Sequence, residues 1–100
     1  MLDHNALSSK VEQACKKYDV KRLELIGSAA RDDFKEDSDV DFLVEFYDIR
    51  RPGISQRYFD LIAALEKIFS RKIDLIDINA IKNPYFMESI NKNRLLIYGT

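Results

Sequence analysis

Residues 39–46 carry the pattern that most constrains how this chain can fold. Apolar residues occupy alternate positions, namely Val40, Phe42, Val44 and Phe46. The intervening positions are Asp39, Asp41, Leu43 and Glu45. This period of two predicts a β-strand over Asp39–Phe46 that begins with two carboxylates on the same side, about 6–7 Å apart. Carboxylates this close repel each other unless a cation lies between them, so we interpret Asp39 and Asp41 as ligands of Mg²⁺ or Mn²⁺.

A glycine-serine pair lies upstream of the two aspartates. The residues Lys21–Ile26 predict a first strand, which runs directly into Gly27 and Ser28. Glycine lets the backbone approach a ligand closely, and a short helix beginning at Ser28 (28–31) would offer free N–H groups to phosphate. A Gly-Ser pair alone is most often an ordinary helix cap. If the first two strands are antiparallel neighbours, however, Gly27 lies beside both aspartates, at one end of the sheet.

The remaining periodicities alternate between helix and strand. We predict the following elements: a helix over 3–18, a polar loop over 32–38, a turn segment over 47–53, a helix over 54–69, a strand over Lys72–Ile78, a short helix from Pro84 capped by Asn83, and a strand over Leu95–Tyr98. Tyr58 and Phe59 are expected in the core, as is Cys15. The chain is therefore predicted to be an α/β (α+β) protein with a small mixed sheet of three to four strands packed by helices.

A third carboxylate is predicted to join the first two. Two strands joined by a helix are usually parallel, with a right-handed crossover, so the start of the third strand should lie beside Asp39 and Asp41. Asp74 and Asp77 face opposite sides of that strand, and only one of them can reach the site. We choose Asp74, because it is nearer the start of the strand.

Length and charge exclude several classes of protein. One hundred residues predict a single domain, 1–100. A net charge of −1 argues against a protein that holds long nucleic acids. The sequence has no apolar run long enough for a membrane span and no signal-peptide pattern, which favours a cytoplasmic protein. A chain of this size buries only a modest core, so a protein partner or a homodimer is expected to support it.

A calcium-binding EF-hand is the first alternative for the spacing Asp37-x-Asp39-x-Asp41. That loop requires glycine at the next position, where this chain has Phe42, and glutamate at the twelfth, where it has Asp48. We therefore reject it.

The combined pattern resembles the nucleotidyltransferase superfamily of the DNA polymerase β type. Its motif is Gly-Ser, ten residues, then Asp-x-Asp, as in Gly27-Ser28 and Asp39-Val40-Asp41. The opening Gly27-Ser28-Ala29-Ala30-Arg31 and the later Ile73-Asp74-Leu75 are similar to the minimal nucleotidyltransferases. This resemblance implies the nucleotidyltransferase fold.

The resemblance also implies an activity and a partner. Members of the group act as antitoxins that transfer AMP from ATP to a tyrosine hydroxyl of a helical HEPN-type ribonuclease toxin. Asp39, Asp41 and Asp74 would then be catalytic residues that hold two Mg²⁺ ions, with Asp74 also a candidate general base. Gly27, Ser28 and Arg31 would bind the nucleotide.

The sequence leaves several alternatives open. The acceptor could instead be a small molecule or an RNA end, or the chain could neutralise a toxin by binding alone. Arg31 could contact a phosphate or form a structural ion pair with Asp33 or Asp37. Arg50 and Arg51 could form a solvated turn or contact an acidic surface.

Overall fold

The computed structural model describes residues 4–27, 39–50 and 52–99, and for residues 4–7 it describes the backbone alone. Four strands form one mixed sheet in the order β3-β2-β1-β4. The described elements are, in chain order, α1 (His4–Lys17), β1 (Val20–Ile26), β2 (Val40–Phe46), α2 (Ile54–Phe69), β3 (Ile73–Asp77), a 3₁₀ helix (Ile78–Ala80), α3 (Pro84–Asn91) and β4 (Arg94–Tyr98). The predicted α/β class, the mixed sheet and every predicted element that falls on these residues are confirmed, with ends shifted by one or two residues.

The predicted strand pairing is also confirmed. β1 and β2 are antiparallel, β2 and β3 are parallel, and β4 joins the outer side of β1 in antiparallel orientation. β2 therefore lies in the interior of the sheet, which explains why its alternating apolar residues are almost completely buried. None of the described helices has the length and apolarity that crossing a membrane requires.

The first core lies between one face of the sheet and the helices α1 and α2. Its strand residues include the alternating set Val40, Phe42, Val44 and Phe46. Cys15 is buried there as predicted, and burial raises the pKa of its thiol to about 12. Tyr58 packs against this core as well. The prediction for Phe59 is wrong, because its side chain is 64% exposed. Adjacent residues of a helix point in different directions, so Phe59 faces solvent while Tyr58 faces the core.

A second, smaller core covers the opposite face of the sheet. Leu43, which the alternation placed on the polar side of β2, is buried there with Ile26 and Ile90. Ile90 belongs to α3, and the N-terminus of that helix is capped as predicted, since the Asn83 side chain accepts a hydrogen bond from the Tyr85 amide at 2.9 Å. Glu24 and Asp41 lie on the same face and are not part of this core.

A buried carboxylate joins β1 to β4 on this second face. Glu24 is only 5% exposed and accepts two hydrogen bonds from the Arg94 guanidinium, one of them 2.9 Å from Nε to Oε2. Arg22 Nε lies 3.2 Å from the same carboxylate. The hydrogen bond from Arg94 lowers the pKa of Glu24. The buried Glu24 carboxylate between two arginines therefore stabilises the pairing of the edge strand β4 with β1.

Replacing Glu24→Gln should lower the free energy of unfolding by about 2 kcal/mol, because both arginines lose their counter-charge. The matched control is Glu45→Gln, whose partner Lys21 is 3.8 Å away and exposed; it should change stability by less than about 0.5 kcal/mol. Urea unfolding measures both variants. Equal losses in the two variants would contradict the assignment.

The lowered pKa of Glu24 also predicts a pH dependence. A carboxyl whose folded-state pKa lies below its unfolded value stabilises the fold above the unfolded value, and this contribution is lost as pH falls through the folded value. The wild-type chain should therefore lose stability in this acid range more steeply than Glu24→Gln does. Parallel acid titrations followed by circular dichroism provide the measurement.

Candidate active site

Backbone pairing brings two of the three predicted carboxylates to neighbouring strands. Asp41 on β2 pairs in register with Asp74 on β3 and, on its other side, with Ile26 on β1. Residues paired in register point to the same face of a sheet, so the Asp41 and Asp74 side chains share the second face. Asp39 immediately precedes β2 and is exposed, as is Asp74. The predicted placement of Asp74 beside Asp41 is confirmed, and Asp39 precedes the same end of β2.

Negative charge is concentrated around Asp41. Partial burial raises the pKa of this carboxyl first, and the charges of Asp74 and then Asp39 raise it further. Each carboxylate therefore makes ionisation of Asp41 more costly, which is the repulsion that the sequence predicted. A divalent cation would remove this cost, and carboxylate oxygens are the ligands that Mg²⁺ prefers.

The described residues contain no group of three His, Cys, Asp or Glu side chains placed closely enough to hold a metal ion as they stand. Asp39 and Asp74 are exposed, however, so their side chains have room to turn. These two carboxylates can therefore change direction by a change of rotamer.

Gly27 lies directly beside Asp41. Its φ is +70°, a left-handed conformation that residues with a Cβ rarely adopt. A Cβ built at this position would lie 2.9 Å from Asp41 Oδ2, closer than a carbon and an oxygen normally approach. Glycine therefore allows the turn after β1 and makes room for the Asp41 carboxylate. The predicted juxtaposition of the glycine with the aspartates is confirmed.

The other predicted nucleotide-binding residues, Ser28 and Arg31, lie outside the described residues, together with the proposed short helix and the loop that follows it. Arg51 also lies outside them. Arg50 is described and exposed.

Asp77 is the rejected alternative to Asp74. It lies opposite Val44 and therefore faces the side of the sheet that carries the first core. Its side chain accepts a hydrogen bond from the Asn79 amide at 2.9 Å, which caps the 3₁₀ helix. The choice of Asp74 over Asp77 thus agrees with the placement of both side chains.

The chain belongs to the nucleotidyltransferase family. The family model described as "Nucleotidyltransferase domain" matches residues 8–97. The chain is 46% identical over 82 residues to "Putative protein adenylyltransferase MJ1379" of Methanocaldococcus jannaschii, covering 82% of this chain and 79% of that protein. It is 30% identical over 77 residues to "Protein adenylyltransferase MntA" of Thermococcus cleftensis, covering 77% of this chain and 75% of that one. The enzyme class and the family inferred from the motifs are confirmed.

Solved structures have the same fold. "Structure of putative minimal nucleotidyltransferase" superposes with a TM-score of 0.72 at 26% identity, covering 94% of this chain and 95% of that one. The same fold is found in "Crystal structure of the toxin-antitoxin with AMP-PNP", with a TM-score of 0.72, 17% identity and coverage of 93% of this chain and 73% of that one. A complex of a tri-AMPylated Shewanella oneidensis HEPN toxin with an MNT antitoxin gives a TM-score of 0.66 at 15% identity, with coverage of 98% and 74%. The similarity of this chain to the last two structures is one of fold.

Replacing Gly27→Ala should weaken binding of divalent cations, because the new methyl group displaces the Asp41 carboxylate. The control is Gly53→Ala: Gly53 has φ +94°, but a Cβ there would have no neighbour within 4 Å. Both variants should lose about 1 kcal/mol of stability from backbone strain. The wild type is expected to melt at a higher temperature with Mg²⁺ or Mn²⁺, and only Gly27→Ala should lose that rise. An equal Mg²⁺ response in both variants would separate Gly27 from the site.

Proposed function

We propose that this chain is a Mg²⁺-dependent protein adenylyltransferase that transfers AMP from ATP to a tyrosine hydroxyl of a HEPN-type ribonuclease toxin, and so acts as an antitoxin. The observation that carries the proposal is the pairing of Asp41 in register with Asp74 on one side and, on the other, with Ile26, the residue before Gly27. The adenylyltransferase relatives and the solved toxin-antitoxin complexes support the chemistry and the class of partner.

The three carboxylates would hold the divalent ions. Asp39 and Asp41 would bind both ions of a two-ion site, and Asp74 would complete the shell on the acceptor side. Bound Mg²⁺ supplies charge neutralisation for the triphosphate and lowers the pKa of the attacking hydroxyl. The raised pKa of Asp41 fits this role, since the same charges that disfavour its ionisation attract a cation.

Asp74 is the candidate general base. A tyrosine hydroxyl has a pKa of about 10 and must lose its proton to attack the α-phosphorus of ATP. Asp74 is exposed at the edge strand β3, where an incoming side chain can reach it. Gly27 and Ser28 would offer their backbone amides to the phosphates, with Arg31 nearby in sequence, and pyrophosphate would leave. Alignment of the two substrates supplies the rest of the rate enhancement.

The acceptor protein would provide much of its own binding surface. We propose that residues 1–100 form one catalytic domain. A folded partner presents its tyrosine on a surface that is already ordered, so less conformational entropy is lost on binding than with a flexible peptide. A homodimer of the chain is compatible with this arrangement.

The test is co-expression of the chain with a HEPN-type toxin encoded beside it, followed by intact-mass measurement of the toxin. The wild type should add one or more AMP units to the toxin. Asp41→Asn and Asp74→Asn should reduce transfer about a hundredfold or more, because each loses a charge at the reacting centre. Asp77→Asn should retain transfer, since Asp77 lies on the other face and asparagine keeps the oxygen that caps the 3₁₀ helix.

Thermal melting without metal provides the fold control. Because its folded-state pKa is raised, ionised Asp41 reduces stability at neutral pH, so Asp41→Asn should melt at the same temperature as the wild type or slightly higher. Full transfer by the Asp41→Asn variant would overturn the mechanism. A stable complex without a mass change would indicate an antitoxin that acts by contact, and neither complex nor modification would indicate a small-molecule or RNA acceptor.

A further inference from the structure

The outer edge of β3 is the edge that faces away from β2. Among the described strands, β3 is a terminal strand of the sheet and pairs with β2 alone. The Val40 amide donates to the Lys72 carbonyl at 3.1 Å, so the backbone groups of residues 72, 74 and 76 point toward β2. In a parallel ladder the alternate residues point the other way. The backbone groups of Ile73 and Leu75 therefore face away from the sheet, where unpaired groups would be left to solvent.

Two side chains of α2 meet these outward groups. The Tyr58 hydroxyl donates a hydrogen bond to the Leu75 carbonyl, and the Ile73 amide donates to Glu66 Oε2 at 3.4 Å. Tyr58 and Glu66 are eight residues apart, about two turns of helix, so they lie on one side of α2. That side runs along the outer edge of β3.

Asp74 lies between the two bonded residues. Its own backbone groups face β2, and the Ile73 amide and the Leu75 carbonyl are bonded to α2, so the strand has contacts on both edges at this point. The side chains of Ile73 and Leu75 are buried in the first core, which directs the Asp74 side chain to the opposite face, where Asp41 lies. From this geometry we infer that Tyr58 and Glu66 are positioning residues, which hold the β3 backbone so that the Asp74 carboxylate faces Asp41. The consequence for catalysis rests on the function proposed above.

The hydroxyl of Tyr58 remains a donor throughout the neutral range. Burial raises its pKa first, and the charges of Asp74 and Asp77 raise it further. The ring itself packs against the first core. Removing the hydroxyl alone, by Tyr58→Phe, therefore leaves the packed ring in place and tests the hydrogen bond.

The experiment measures Mn²⁺ binding to the full chain by the loss of the free-ion electron paramagnetic resonance signal. Tyr58→Phe should weaken Mn²⁺ binding about tenfold, the effect typical of losing a group that orients a metal ligand. Tyr85→Phe is the matched control, because Tyr85 is 80% exposed, and it should bind Mn²⁺ like the wild type. Glu66→Ala should weaken binding, and Glu66→Gln should restore it, because the amide oxygen can still accept from Ile73.

Amide hydrogen exchange at residues 73–76 provides a second readout that does not need metal. Exchange should accelerate in Tyr58→Phe and in Glu66→Ala and stay unchanged in Tyr85→Phe. With the toxin present, kcat for AMP transfer should fall about tenfold while KM for ATP changes little. A Tyr58→Phe variant with wild-type Mn²⁺ affinity and exchange overturns the inference.

The outcomes separate this inference from the proposed function. A wild-type chain that binds Mn²⁺ but adds no AMP to a toxin overturns the proposed function, while the order of Mn²⁺ affinities among the variants still decides the positioning roles. A wild-type chain that binds no Mn²⁺ overturns the positioning inference together with the metal site. If Tyr58→Phe does not fold, the pair Glu66→Ala and Glu66→Gln decides in its place.

Discussion

The parallel register between β2 and β3 is the constraint on which the candidate site depends. Asp41 faces Asp74 only because each strand enters the sheet at the same level, a pairing that the helix α2 makes possible by returning the chain to the same end. A slip of one residue would turn Asp74 into the first core and bring Ile73 to the open face. The apolar side chains of Ile73 and Leu75 make that slip costly, so core packing on one face fixes chemistry on the other.

Patterning along the chain was enough to predict the elements and the pairing. The alternation through Val40–Phe46 identified the interior strand, and the helical stripe of 54–69 gave α2 with the right bounds. The placement of Asp74 beside Asp41 followed from the parallel pairing expected of two strands joined by a helix and from the position of Asp74 near the start of β3. Phe59 was misplaced and the burial of Leu43 was not predicted, because a period of two or 3.6 identifies a face but not whether a second layer covers it or solvent reaches it.

The groups that support the site were not predictable in the same way. Glu24 reads as a polar residue on a half-exposed strand, and its burial depends on Arg94, which is 70 residues away in sequence. Tyr58 and Glu66 belong to an amphipathic helix, where an aromatic residue and a carboxylate are ordinary. Their contacts with Leu75 and Ile73 require the distance between α2 and the outer edge of β3, which no local pattern contains.

The two edge strands of the sheet, β3 and β4, differ in what contacts their outer sides. Side chains of α2 occupy outward backbone groups of β3, whereas β4 presents the exposed apolar residues Leu95, Leu96 and Ile97. An edge strand with unpaired backbone groups can pair with a strand of another chain. When two identical edge strands pair about a twofold axis, the backbone groups of both edges are used. Among the described strands β4 is the edge without such side-chain contacts, so pairing of this kind would join two chains through their β4 strands.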